Sequence, residues 1–317
     1  MAINNICVVG VGGVGGYFGG LMVHSFASGK QISFIARGAH LAQIRERGLM
    51  LNTSSRQGLV CTPTLATDRL EDAPTPDLYL LCVKSYDLAD VAAQMSRNIN
   101  EKTIVLPLLN GVDIYERIRE ELATGIVLPA CVYVGTHIAQ PGVVTQKGGD
   151  GAILCGPDSR HPEFDAAPLL KLFEQAQIQC TWNRDPYPAI WEKFMFIAAF
   201  GLVCVASDNT LGEVMADAEA LAQTRGIMEE ILAIARVKGV NFADDVVERS
   251  LAKAGNFPPE TKTSYHRDVE TPGKRNEGDL FGGAILRMGE EFGVPTPVTR
   301  QMYAMIQKNR GISSCAS

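Results

Sequence analysis

The sequence lacks several signals that would settle a function class at once. It has no Cys-x-x-Cys pair, and its eight cysteines, Cys7, Cys61, Cys82, Cys131, Cys155, Cys180, Cys204 and Cys315, are scattered. Cys7 beside Val8-Val9 and Cys82 beside Leu80-Leu81 sit inside apolar runs, the setting of buried thiols in a reducing cytosol rather than of a disulfide framework. The five histidines form no His-x-x-x-His and no His/Cys cluster, so no metal site is expected. Clustered Lys and Arg are also missing from a chain of formal charge −6. That argues against nucleic acid as a partner, because phosphate backbones are held by concentrated positive charge. No uninterrupted apolar run approaches the roughly 20 residues of a bilayer crossing. The first residues carry neither the basic segment nor the small-residue cleavage site of a secretory leader. A cytoplasmic protein without a membrane segment is expected.

What is present is globular. At 317 residues, 46% hydrophobic and 20% charged, the chain is long enough for two domains of ordinary size. Its first half alternates short β-branched runs (Ile6–Val9, Ile32–Ala36, Leu78–Val83, Thr103–Pro107, Ile126–Val134) with helix-like stretches around Gly15–Ser28, His40–Arg47, Leu88–Asn98 and Asp113–Leu122. Near-continuous apolar strands suit a parallel sheet covered on both faces, and the order reads as βαβ units of a Rossmann-type, doubly wound sheet. The pattern changes near Trp182. After Asn183-Arg184-Asp185-Pro186-Tyr187-Pro188, strand signals fade and long helical patterns follow at Ala189–Val205, Leu211–Val237, Asp244–Ala254 and Asn276–Phe292. The predicted fold is α/β followed by an all-α domain, residues 1–183 and 184–317.

The strongest local motif directly follows the first strand: Gly10-Val11-Gly12-Gly13-Val14-Gly15-Gly16. In a Gly-x-Gly-x-x-Gly turn the first glycine allows the tight bend. The second lets backbone approach a pyrophosphate, and the third lets helix pack on strand. The helix start then offers N–H groups and a positive dipole end to an anion. A strand before and a helix after raise this well above a bare glycine count, and Gly10, Val11, Gly12, Gly13, Val14 and Gly15 are read as dinucleotide-binding. The second strand ends at Ala36-Arg37-Gly38, 22 residues past Gly15. NAD-binding proteins place an acid there for the ribose 2′-hydroxyl. Arg37 suits a 2′-phosphate instead, so NADP(H) is expected.

The chain resembles the ketopantoate reductase (2-dehydropantoate 2-reductase) family. The resemblance runs through Val9–Gly19, Ala36-Arg37-Gly38, Cys82-Val83-Lys84-Ser85, Leu109-Asn110-Gly111, Pro141-Gly142-Val143, Trp191-Glu192-Lys193, Thr263-Ser264-Tyr265-His266-Arg267-Asp268, Glu277-Gly278-Asp279 and Gly293-Val294-Pro295-Thr296-Pro297. It implies an NADPH-dependent reductase of a small 2-keto acid, taking ketopantoate to pantoate in pantothenate biosynthesis. It further implies Lys193 as general acid, and Lys84 and Asn110 beside nicotinamide and substrate. Ser264 is implied on the substrate carboxylate, Glu277 between cofactor and active site, and the Ile138 backbone on the cofactor. Glu277 requires one residue more after Asp268 than the family spacing.

The chemistry fits those roles independently. Hydride attack on a ketone builds negative charge on its oxygen, which a lysine ammonium both stabilises and protonates. Ligands of open parallel sheets lie outside the carboxyl ends of the strands, where Lys84 and Asn110 fall. Lys193 is expected to complete the site from the second domain. One departure stands out. Four and eight residues past the lysine, where the family carries asparagines, this chain has Ile197 and Gly201. Both share the lysine's helix face, which predicts a more apolar, roomier wall and a changed substrate. Alternatives are a related NADP-linked enzyme acting on a more apolar keto or hydroxy acid, and a non-catalytic NADPH sensor. A homodimer through the helical domain is left open.

Overall fold

Asn5–Val9, an apolar pentapeptide buried along most of its length, forms β1 in the computed structural model, which describes residues 2–26, 29–271 and 273–309. Cys315 lies outside the described residues. The chain continues through α1 (Gly13–Ser25), β2 (Gln31–Ile35), α2 (Gly38–Arg47), β3 (Leu49–Asn52), β4 (Leu59–Cys61), β5 (Leu65–Thr67), β6 (Leu78–Leu81), α3 (Leu88–Met95), β7 (Ile104–Pro107), α4 (Ile114–Glu121) and β8 (Ile126–Val127). Next come β9 (Ala130–Tyr133), β10 (Thr136–Gln140), β11 (Val143–Gln146), β12 (Ala152–Cys155), α5 (Ala167–Gln175) and β13 (Cys180–Trp182).

Six strands form one parallel sheet in the order β5-β2-β1-β6-β7-β8. The order reverses at β1, so the chain crosses to the other side between β5 and β6; such a switch point is where open α/β sheets hold ligands. Phe18 on α1 and Phe34 on β2 are wholly buried in the core, each contributing about 1.5–3 kcal/mol by leaving water. The expected run Ile126–Val134 is two strands in different sheets, β8 and β9. A second sheet, β10-β11-β3-β4, has members the sequence conceals. β3 and β4 are four and three residues long, with alternating or sparse burial, too brief for a periodic signal.

Burial also settles the thiols. It pushes Cys61 up to about 11 and Cys204 up to about 12, and raises Cys7 and Cys82 as well. These sulfurs stay protonated and unreactive at neutral pH.

Contacts divide the chain into units Met1–Pro186 and Tyr187–Ser317. The second unit is helical: α6 (Tyr187–Ser207), α7 (Leu211–Ala216), α8 (Ala218–Val237), α9 (Val246–Ala252), α10 (Ser264–Glu270), a π-helical turn at Asp279–Gly283, α11 (Ala284–Glu291) and α12 (Pro297–Asn309). The single helix expected over Leu211–Val237 is two. Asp217 takes an extended conformation and accepts N–H bonds from Glu219 and Ala220, capping α8. Thr210 and Glu213 cap α7 reciprocally. Short polar side chains compete with helix continuation in this way. Among the described residues α6 has the length and hydropathy to cross a membrane, but 72% of its most apolar window is buried. A helix apolar on all sides and so covered is a core helix.

One buried ion pair ties the far side of the parallel sheet. Asp158, fully buried, bonds the Arg119 guanidinium and accepts from Tyr115 Oη at 2.6 Å, Val127 N at 2.9 Å and Arg160 N at 3.0 Å. Replacing Asp158 with Ala strands a buried guanidinium, so the loss is expected to be about 3–5 kcal/mol. Urea unfolding of the intact chain measures it. A change below about 1 kcal/mol would remove the pair from any stabilising role.

Candidate active site

The turn after β1 is shaped by what its glycines exclude. Gly10 has φ +86°, and its N–H and that of Val11 both donate to the Ile35 carbonyl, fixing the turn against β2. A Cβ on Gly15 would lie 2.3 Å from the Gly10 carbonyl oxygen and 3.1 Å from Cys82 Cβ, so only glycine lets α1 start this close to β1 and β6. Gly12 is different: a Cβ there would meet nothing within 4 Å. The open side of that residue has room for an anion, and α1 begins with no side-chain cap and no acid in its first turn. The residues present therefore fit a dinucleotide pyrophosphate at a helix start.

Other residues of the same sheet edge follow neighbouring strands. Lys84 follows β6 as the residue before a 3-10 turn, and Asn110 follows β7, which pairs with β6 in parallel register. Both are half-buried. Arg37 follows β2 and is the N-cap residue of α2; its side chain is 68% exposed, with Nη1 3.6 Å from Asp87 Oδ2. Asp87 escapes sequence reading because it arrives from the β6 end rather than the β2 end. Ile138 lies on β10 at a register shift, 42% exposed. The start of that strand touches the glycine turn, since a Cβ on Gly13 would lie 2.8 Å from Thr136. The glycine turn, Arg37, Lys84, Asn110 and the Ile138 strand thus share one region of the first unit.

In the helical unit, Lys193 and Ile197 are half-buried on α6 and Gly201 is buried one turn on. A Cβ on Gly201 would meet Tyr265 at 3.7 Å, while a Cβ on Gly278 would lie 2.6 Å from Tyr265 Oη. Tyr265 therefore packs between α6 and the segment carrying Glu277, itself 6% exposed. Ser264, the neighbour of Tyr265, is exposed and is not the helix cap: Thr263 accepts the His266 N–H. A capping role for Ser264 is thereby removed, which leaves its hydroxyl for other partners. Tyr265, which no spacing rule singles out, thus touches the Gly201 turn of α6 and the Gly278 backbone beside Glu277, with Ser264 its chain neighbour; Lys193 and Ile197 lie two turns and one turn earlier on α6. The Lys193 face is also aromatic. Phe196 lies 5.0 Å from Phe200 and stacks at 5.7 Å on Phe257, which is 46% exposed.

The fold also gathers potential metal ligands distant in sequence. His266 Nε2 lies 2.9 Å from Asp208 Oδ1 and 3.8 Å from Glu270 Oε1. The Lys262 ammonium already bonds Glu270.

Comparison with known proteins gives the family and the fold. A family model described as Ketopantoate reductase PanE/ApbA matches residues 6–160, and one described as Ketopantoate reductase PanE/ApbA C terminal matches residues 186–310. The crystal structure of a PanE/ApbA family ketopantoate reductase from Ralstonia eutropha JMP134 is similar with TM-score 0.87 at 30% identity, covering 97% of this chain and 98% of that one. A 2-dehydropantoate 2-reductase of Mesorhizobium japonicum is 26% identical over 327 residues, 96% of this chain and 97% of its own. The fold is also that of D-mandelate dehydrogenase in a ternary structure with NADH and anilino(oxo)acetate, with TM-score 0.84 at 21% identity over 97% of this chain and 98% of that one.

The two glycines separate stability from binding. Gly12→Ala is expected to leave thermal stability within about 1 kcal/mol yet weaken NAD(P)H binding at least about tenfold, since its methyl enters the space left for the pyrophosphate. Gly15→Ala is expected to cost about 1–3 kcal/mol by overpacking. Fluorescence titration and thermal unfolding read the pair. Undiminished binding by Gly12→Ala would move the pyrophosphate elsewhere.

Proposed function

The chain belongs to the ketopantoate reductase family of NAD(P)-dependent oxidoreductases acting on CH–OH groups, and we propose that it reduces the ketone of a 2-keto acid with NADPH, Lys193 acting as general acid. The observation carrying the reading is a division of labour. A glycine turn open at Gly12 marks one unit, and a half-buried Lys193 on α6, the helix that Tyr265 touches at Gly201, with Ser264 and Glu277 flanking that tyrosine's contacts, marks the other. When bound, the reduced nicotinamide supplies the hydride. Lys193 supplies the rest: its ammonium stabilises the charge growing on the carbonyl oxygen and donates the proton. Ser264, exposed in the first turn of α10, is proposed to donate to the substrate carboxylate. Lys84 and Asn110 orient the reacting groups at the strand ends. Arg37 bonds the 2′-phosphate, for which a guanidinium at the end of β2 is the matching charge. Glu277 and the Ile138 backbone complete the cofactor contacts. A cytoplasmic location accords with this use of NADPH.

The substrate is proposed to carry a more apolar side chain than ketopantoate. Ile197 and Gly201 offer no hydrogen bond to a substrate hydroxyl, and Phe196 with Phe257 sets aromatic surface beside Lys193. A buried hydroxyl without partners is disfavoured by about 1–3 kcal/mol. The same aromatic surface supports a second reading, a dehydrogenase of an aromatic 2-hydroxy acid, the class to which the name of the mandelate enzyme points.

Lys193→Ala is expected to lower kcat by about 100- to 10,000-fold while NADPH affinity stays within about twofold; unchanged turnover would remove Lys193 as the general acid, and no turnover by the wild-type chain on any 2-keto acid would leave only a dinucleotide sensor. Arg37→Ala is expected to weaken NADPH by about 10- to 100-fold and spare NADH. Equal losses for both would cancel the 2′-phosphate assignment. Absorbance at the reduced nicotinamide band, followed with ketopantoate and with branched and aromatic 2-keto acids, fixes the substrate. A clear preference for ketopantoate would overturn the apolar assignment.

A further inference from the structure

We propose that His40 is a positioning residue for the cofactor, fastening the glycine turn, the first turn of α2 and the β10–β11 turn into one anion-binding arrangement. The inference rests on the reading of that sheet edge as a dinucleotide site. His40 is the third residue of α2, three past Arg37. Its Nδ1 accepts the N–H of Gly142 at 2.9 Å, so the ring proton belongs on Nε2. That second nitrogen is buried and makes no hydrogen bond of ordinary geometry within the protein, while the backbone of Val11, inside the glycine turn, is near enough to act on the ring's protonation. One imidazole thus bonds the β10–β11 turn and lies beside a backbone segment 131 residues away in sequence.

Both segments are otherwise immobilised toward it. Gly142 has φ +79°, and a Cβ there would lie 2.7 Å from Gln43 Cβ on α2, so the β10–β11 turn sits directly on that helix. The Gly142 carbonyl accepts the Met50 N–H at 2.8 Å. From this turn β10 runs back to the glycine turn, where Thr136 crowds Gly13. The ring of contacts closes on the residues proposed to hold phosphate: Val11 to Gly15 on one side and Arg37 on the other. Burial lowers the His40 pKa below its ordinary value, which keeps the ring neutral and Nδ1 an acceptor at neutral pH. A histidine that merely filled space would need neither nitrogen. One that sets the turn needs its Nδ1 lone pair.

Three variants separate these roles by NADPH titration and steady-state kinetics on the intact chain. His40→Phe keeps a ring but cannot accept from Gly142. It is expected to raise the NADPH Kd about tenfold, the size of one lost buried hydrogen bond, with kcat at saturating NADPH within twofold. His40→Gln fills the volume but reaches past Nδ1, and is expected to behave like Phe if the aromatic variant does not fold. His40→Asn places an amide oxygen near the Nδ1 position and is expected to recover most of the affinity. Wild-type affinity in Phe or Gln, or no recovery in Asn, overturns the proposal. Failure of the wild-type chain to bind either NADPH or NADH would instead overturn the cofactor reading, and this inference with it.

Discussion

The contact on which the first unit depends is the approach of the Gly15 backbone to the Gly10 carbonyl oxygen. With a Cβ only 2.3 Å from that oxygen, no other residue type fits. The tight approach lets α1 leave the end of β1 at once, which aims the N-terminal N–H groups of α1 at the switch point of the sheet. Neighbouring parallel strands place their carboxyl ends at the same edge, so residues far apart in sequence arrive there without any tertiary device of their own. Lys84 and Asn110 are the products of that arrangement: each is delivered to the edge by the strand that precedes it.

The helical unit solves a different problem. A 21-residue helix buried on nearly every side must still present polar groups in its early turns. Glu192 is engaged by Arg249 and Lys253, an exposed charge cluster on α9 and its 3-10 extension. Such pairs contribute little to stability but fix where the acidic neighbour of Lys193 points. On the opposite flank, Tyr265 packs over Gly201 at a distance that even a methyl group there would meet in ordinary contact, and its hydroxyl presses on Gly278, where a Cβ would lie 2.6 Å away. A glycine in mid-helix costs about 1 kcal/mol relative to alanine. The close approach is instead at Gly278, where the absent side chain admits the Tyr265 hydroxyl beside the segment carrying Glu277.

Much of this was legible in the sequence, and the parts that were not share a cause. Five strands of the parallel sheet announced themselves because their runs are continuously apolar, while β5, three residues long and half-buried at the edge, did not. The glycine turn announced itself because its constraints act at fixed local spacing. Asp217 broke an expected helix because periodicity cannot see a cap inside an apolar stripe. β3 and β4 were missed because three or four residues carry no period. Tyr265, Asp87 and His40 were invisible for a deeper reason. Their roles are set by partners 64, 50 and 102 residues distant (Gly201, Arg37 and Gly142), and no local pattern encodes such separations. The same holds for His266 and Asp208.

The exposure of Arg37 has an evolutionary corollary. Its guanidinium stands in solvent, in loose contact with Asp87. With Arg37 proposed as the 2′-phosphate ligand, selection on nucleotide preference can act at this position with little penalty in folding, since surface substitutions usually move stability by less than about 0.5 kcal/mol. A lineage with this architecture can drift between phosphorylated and unphosphorylated dinucleotides by changing its rim while its interior stays the same.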